Sequence, residues 1–222
     1  MRIPTLVATL AVAGSVAFAA PAGQQVVLEV KLPKPAFVGT PKNIPPGTTV
    51  EKPSGKKRPP LMVPAGTANL SLKKPVTGSY PNPLIGEMSQ VTDGSKEADE
   101  GSYVELGKGK QWVQVDLKKP CTISAIVVWH YHGDPRVYHD VVVQTALDRD
   151  FIKGVTTAFN NDQNNTLGLG AGKDREYFET FEGRLIEVKG VKARFVRLYS
   201  NGSTADELNR ITEVEVHGRT AE

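Results

Sequence analysis

Gln111-Trp112-Val113-Gln114-Val115-Asp116-Leu117 alternates polar and apolar side chains, and the apolar set is β-branched or aromatic at all but its last position. A period of two is that of a β-strand with one face turned to a core and the other to solvent. After Lys118-Lys119-Pro120 a second β-rich run follows, Cys121-Thr122-Ile123-Ser124-Ala125-Ile126-Val127-Val128-Trp129-His130. Working outward, segments 70–73, 138–146, 155–159, 185–188, 194–200 and 211–217 have the same character and are bounded by Gly, Pro, Asn or Asp. With 111–117 and 122–130 they predict eight strands and no helix, hence an all-β sandwich or barrel. The 39% hydrophobic content of 222 residues supports one sizeable core and not two large ones.

The N-terminal third reads differently. Met1-Arg2-Ile3-Pro4 leads into an apolar run that ends at Ala17-Phe18-Ala19, too short for a membrane span and shaped like a secretory signal peptide over residues 1–19. Residues 20–66 hold ten of the sixteen prolines, seven Lys or Arg and only two acidic residues. This segment is expected to be a Pro/Lys-rich, mostly disordered linker that buries little area, with 26–32 as a possible strand. No later stretch has the length of a membrane helix, so the expected location is secreted, periplasmic or cell surface. Cys121 is the only cysteine, which excludes an intrachain disulfide and reads as a small buried hydrophobe.

From Thr67 onward 19 basic residues face 22 acidic ones, so the net charge of +3 belongs to the N-terminal segment. A nucleic-acid footprint on the folded part is not expected. The basic linker is a candidate for envelope components such as anionic polymers. Catalysis has no usual entry point, since no nucleophile elbow, phosphate loop or dinucleotide fingerprint is present.

Five motifs in order carry a resemblance: Asn69-Leu70-Ser71-Leu72-Lys73, Val91-Thr92-Asp93-Gly94, the strand pair 111–126, Ala193-Arg194-Phe195-Val196-Arg197-Leu198-Tyr199, and Ile211-Thr212-Glu213-Val214-Glu215-Val216-His217-Gly218. Together they resemble the discoidin or coagulation factor 5/8 type C family, including its galactose-binding-like carbohydrate modules. The resemblance covers residues 67–219. It implies a jelly-roll β-sandwich that binds a glycan or cell-surface polysaccharide, without catalysis, through loops at one end. Adhesion to a protein or membrane surface and a structural envelope role are the alternatives it leaves open. It also implies a structural calcium ion held by Asp93, Thr212 and Glu213, the competing reading being a turn residue and two ordinary strand positions. In place of the family's Thr and Trp after the Asp-Gly turn, this chain has 95–103 without either.

Two segments concentrate ligand-binding chemistry. Residues 129–139 join two strands and hold three of the four histidines, and here His130, Tyr131, His132, Asp134 and Arg136 supply an aromatic face with directional donors and acceptors. Residues 160–183 form a long Asn- and Gly-rich loop from which Asn161 and Asn164 are candidates. Zinc on His130, His132 and His139 is the weaker alternative, and a purely structural role for these side chains competes with both. The loops look polar, which favours a polar ligand over a lipid.

Overall fold

The computed structural model describes residues 23–37, 49–53 and 55–220, so the expected signal peptide lies outside the described residues. Strands β1 (Gln25–Val27) and β2 (Met62–Pro64) form an antiparallel pair. The others are β3 (Ala68–Asn69), β4 (Val76–Gly78), β5 (Val104–Leu106), β6 (Gln111–His130), β7 (Val142–Ala146), β8 (Thr156–Asn160), β9 (Arg184–Ser200) and β10 (Asn209–Thr220). They hydrogen-bond in the order β3-β10-β6-β9-β7-β8, with β4 also on β6 and β5 also on β10. A short 3-10 turn at Met88–Thr92 is the one helical element among the described residues.

The decisive stretch explains how this ladder becomes a sandwich. β6 contains both predicted strands, 111–117 and 122–130, joined through a corner where Lys118 takes a left-handed φ of 73°. β9 likewise merges 185–188 with 194–200, and Gly190 at φ 71° supplies the matching corner. The β6–β9 register slips between Asp116 and Cys121 and again between Ile123 and Ala125. Each slip bends the strands and shifts the side-chain phase. Val113, Val115 and Leu117 therefore face the same core as Ile126 and Val128, from opposite layers, together with Val143, Leu198 and Val214. The chain is an all-β, antiparallel jelly-roll sandwich, as expected.

Two strand boundaries differ from expectation. Residues 70–73 are not a strand: Ser71 hydroxyl bonds to Asn69 and to the Val214 carbonyl, and Lys73 turns out at φ 57°. Residues 138–141 precede β7, because Asp140 adopts φ 51° and breaks the run.

The expected free linker is corrected where it is described. Val50 and Val63 are buried, and Arg58 donates to the carbonyls of Glu182 and Gly183 at 3.0 and 3.2 Å. β1 and β2 share a cavity with Glu215 and His217, so they lie over the face of β10 turned away from the main core. On that face Ala125, Val127 and Trp129 are completely buried. Their burial outside the main cluster is the physical reason the proline-rich segment packs: the strand pair has apolar residues on both faces, and the second face needs a cover.

Candidate functional site

Both ends of the folded-back β6, residues 111 and 130, lie at one end of the sandwich, with the corner at the other. That first end carries the connections 131–141, 160–183 and 201–208, so the two sequence candidates are neighbours. Val141 and Asn161 exchange hydrogen bonds, Val137 bridges Phe178, and His139 Nδ1 lies 3.1 Å from Glu176.

The structure separates the predicted residues into two groups. Tyr131, Asp134 and Arg136 form one unit: Arg136 grips Asp134 with two bonds of 2.6 Å, and its guanidinium lies 4.9 Å from the Tyr131 ring centre. Tyr131 packs edge-on against Tyr103 at 4.9 Å. Asp134 is exposed, Tyr131 is half-buried, and Asn164 is exposed on the 160–183 loop. Arg136 is itself buried and reaches the surface only through Asp134, while His130, His132 and Asn161 are buried and turned inward. His130 Nδ1 faces Glu179 at 3.1 Å and its ring stacks on Tyr138, while His132 Nε2 faces the Lys96 carbonyl at 2.9 Å. Asn161 accepts the Val141 N–H. These three are corrected from ligand contacts to structural bonds, since a ligand at the surface cannot reach them. The three histidines point to different partners, and among the described residues no group of three or more His, Cys, Asp or Glu is placed to hold a metal ion.

Sequence reasoning missed Tyr103, Asp206 and Arg210. Arg210 donates to Glu105 at 2.6 Å and to Asp206 at 2.8 Å, which extends the charged rim beside Asp134. Its pKa stays above the ordinary arginine value: burial opposes the charge, but the hydrogen bonds it donates to Asp206 and Glu105 prevail. Burial also works against the Asp134 and Asp206 carboxylates, and bonds from Arg136 and Arg210 still hold both below the usual range. The rim therefore stays ionised at neutral pH. Only Tyr103, two residues after Gly101, lay beside a turn visible in sequence.

The implied cation residues lie at the start of β10. Glu213 is fully buried, its Oε2 accepts the Gly94 N–H at 3.3 Å, and its Oε1 has no partner, as is also true of the buried Thr212 hydroxyl. Burial pushes the Glu213 carboxyl up to about 9. Two buried, unpartnered oxygens beside a backbone loop fit a hard cation, which takes oxygen ligands. Asp93 lies at the rim of this cradle, exposed, and accepts the Ser95 N–H at 2.7 Å. Part of the neighbouring positive charge is already present, since Lys96 Nζ bonds the Gly94 carbonyl at 3.2 Å and Glu215 at 2.7 Å.

Neither a family model nor a curated protein matches this chain. Solved structures do match in fold. A family 89 glycoside hydrolase from Clostridium perfringens, solved with GlcNAc-alpha-1,4-galactose, superposes with a TM-score of 0.52 at 17% identity over 69% of this chain. The match spans 15% of that enzyme's chain. A CBM32 module produced by the same organism, also solved with GlcNAc-alpha-1,4-galactose, matches with a TM-score of 0.51 at 16% identity, covering 69% of this chain and 96% of the module. At these identities the likeness is one of fold, and it falls on the expected galactose-binding-like sandwich.

Proposed function

We propose that this protein binds a glycan without altering it, through the sandwich end formed by 131–141, 160–183 and 201–208. The observation that carries the reading is the Tyr131–Arg136–Asp134 unit. A half-buried aromatic ring is fixed by a guanidinium, and an exposed, ionised carboxylate stands beside it. A sugar ring stacks on such a face while its hydroxyls bond to carboxylate and amide, the guanidinium holding the aromatic ring and the carboxylate in place. The CBM32 likeness supports the same reading. One stacking ring with a few hydrogen bonds makes a shallow site, for which a dissociation constant of roughly micromolar to millimolar size is expected. A structural calcium ion held by Glu213, Thr212 and Asp93 belongs to the proposal, where it would fix the 93–96 loop against β10. Among the described residues no helix is long and apolar enough to cross a membrane.

The test is a glycan array followed by calorimetry with the purified chain. Binding of a neutral glycan that is lost on Asp134→Ala, with an unchanged melting temperature, supports the reading. Absence of any glycan binding overturns it.

A further inference from the structure

The charge of the folded part is near balance in sequence but polarised in space. The loop end carries Asp134, Asp140, Asp162, Asp174, Glu176, Asp206 and Glu207 against Arg136, Lys173, Arg175 and Arg210. The opposite, corner end carries Lys74, Lys118, Lys119, Lys189, Lys192 and Arg219. Strand register sets Arg219, Thr122 and Lys192 in one row across β10, β6 and β9. Among the described residues only Lys118 of the six corner cations has a carboxylate within reach, Asp116 at 3.6 Å, and Asp116 is already gripped by Arg194 at 2.8 and 3.0 Å.

A groove runs from this corner across the outer face of β4, β6 and β9. It consists of two cavities of about 550 and 590 Å³ that share Thr77, Gln114 and Arg149. Its floor is rich in donors. Gln114 has its oxygen locked by Arg197 at 2.8 Å, which leaves the amide nitrogen without a partner and turned to the groove. Arg197 bonds only neutral acceptors, Gln114, Tyr199 and the Arg149 carbonyl, and is sandwiched between Trp112 at 4.4 Å and Phe151 at 4.0 Å. The Arg149 side chain is exposed and unpaired where the two cavities meet.

One wall is the 147–155 loop, and it is braced by its own hydrogen bonds. Asp148 accepts the N–H groups of Asp150, Ile152 and Lys153, and Phe151 is held at φ 59° against Arg197. A strained non-glycine conformation persists only where its surroundings over-determine it. The same loop exposes Ile152 at 77%, an apolar exception among loops read as mostly polar. Asp148 is thus consumed by its own loop and Asp116 by Arg194, so Asp150 is the single uncommitted carboxylate along the groove.

We propose that this groove and the adjoining lysine corner bind a linear acidic polysaccharide, its carboxylate or sulfate groups meeting Arg149, Gln114 and the corner lysines. The inference does not depend on the loop-end site. A concave, donor-lined, cationic channel with one braced wall suits a charged chain lying along it, whereas a flat bilayer cannot enter it. Donors in excess of acceptors select an acceptor-rich ligand, and the open lysines add long-range attraction that salt screens.

The experiment measures binding of the full chain to polygalacturonate, dextran sulfate and neutral dextran at low and high salt. Expected are binding to polygalacturonate, dextran sulfate or both, none to neutral dextran, and weakening with salt. Arg149→Glu with Lys119→Glu, both exposed and unpaired, should reduce affinity about tenfold or more at an unchanged melting temperature. Tyr131→Ala, at the other end, should leave this binding intact. The proposal is overturned if the double variant binds as the parent does, if neutral dextran binds equally, or if Tyr131→Ala abolishes the interaction. It is also overturned if only phosphatidylglycerol vesicles are bound and Ile152→Ser releases them.

Discussion

Arg184, the first residue of β9, holds both carboxylate oxygens of Glu51, at 2.9 and 3.0 Å, and so ties the proline-rich segment to the sandwich. The pair itself is partly exposed and contributes little, about 0–1 kcal/mol. What it marks is larger, because Val50 next to it and Val63 in β2 are both buried.

Deleting residues 23–66 is therefore expected to destabilise the protein. Burying two valines contributes about 3–6 kcal/mol, which corresponds to a fall in melting temperature of about 10–20 °C. Calorimetry on the truncated chain checks this. Glu51→Gln alone should shift the transition by no more than about 3 °C, which separates the ion pair from the apolar cover.

The Glu213 carboxyl gives a pH dependence. Its folded pKa, pushed from 4.5 to about 9 by burial, is raised, so in calcium-free protein its contribution is fully present below about pH 4.5 and is lost as pH rises through about 9. In the unfolded chain the group ionises first, which favours unfolding throughout that window. Thermal melts in chelator should show stability falling across it, and Glu213→Gln should flatten the fall. Calcium needs the ionised form, so its stabilisation should grow with pH and vanish in Glu213→Gln. A calcium response that persists in that variant removes Glu213 from the site.

Trp129 and Gly183 form a further tight relationship. Gly183 sits at φ 62°, and a Cβ there would approach the Trp129 indole to 2.6 Å, while the indole N–H donates to the Phe181 carbonyl at 3.0 Å. Trp129→Ala should destabilise by about 3–5 kcal/mol. Gly183→Ala should also destabilise, since it adds both a clash and a left-handed penalty. Chemical denaturation of the two variants checks both.

The sandwich was legible because residues 111–117 alternate, with Val113, Val115 and Leu117 buried, whereas the second half of β6 and most of β10 are buried on both faces and hide that pattern. The sequence hid the packing of the N-terminal segment, because a stretch with ten prolines looks unpacked even when two of its valines are buried. His130 and His132 looked like ligands because a histidine's inward bond to Glu179 or to the Lys96 carbonyl has no local signature. Charge polarity was hidden for a related reason. Lys119 and Lys192 are far apart in sequence, and only the β6–β9 register brings Thr122 beside Lys192.

The loop-end site makes the last prediction. If the Tyr131 ring supplies a stacking face, its hydroxyl is secondary, and Tyr131→Phe should keep glycan affinity within about threefold while Tyr131→Ala lowers it about tenfold. The ring is buried against Tyr103 on one edge and capped by Arg136, so alanine also frees the Arg136 plane. The Asp134 bonds of 2.6 Å keep that guanidinium in place, which limits the structural damage to a small change in melting temperature. Calorimetric titration with the best array glycan distinguishes the cases. Equal losses for Phe and Ala would mean that the hydroxyl, not the ring, makes the contact. No loss in either would place the glycan elsewhere on the rim, beside His139, Asp140 and Glu176, where a His139→Ala titration is the next measurement.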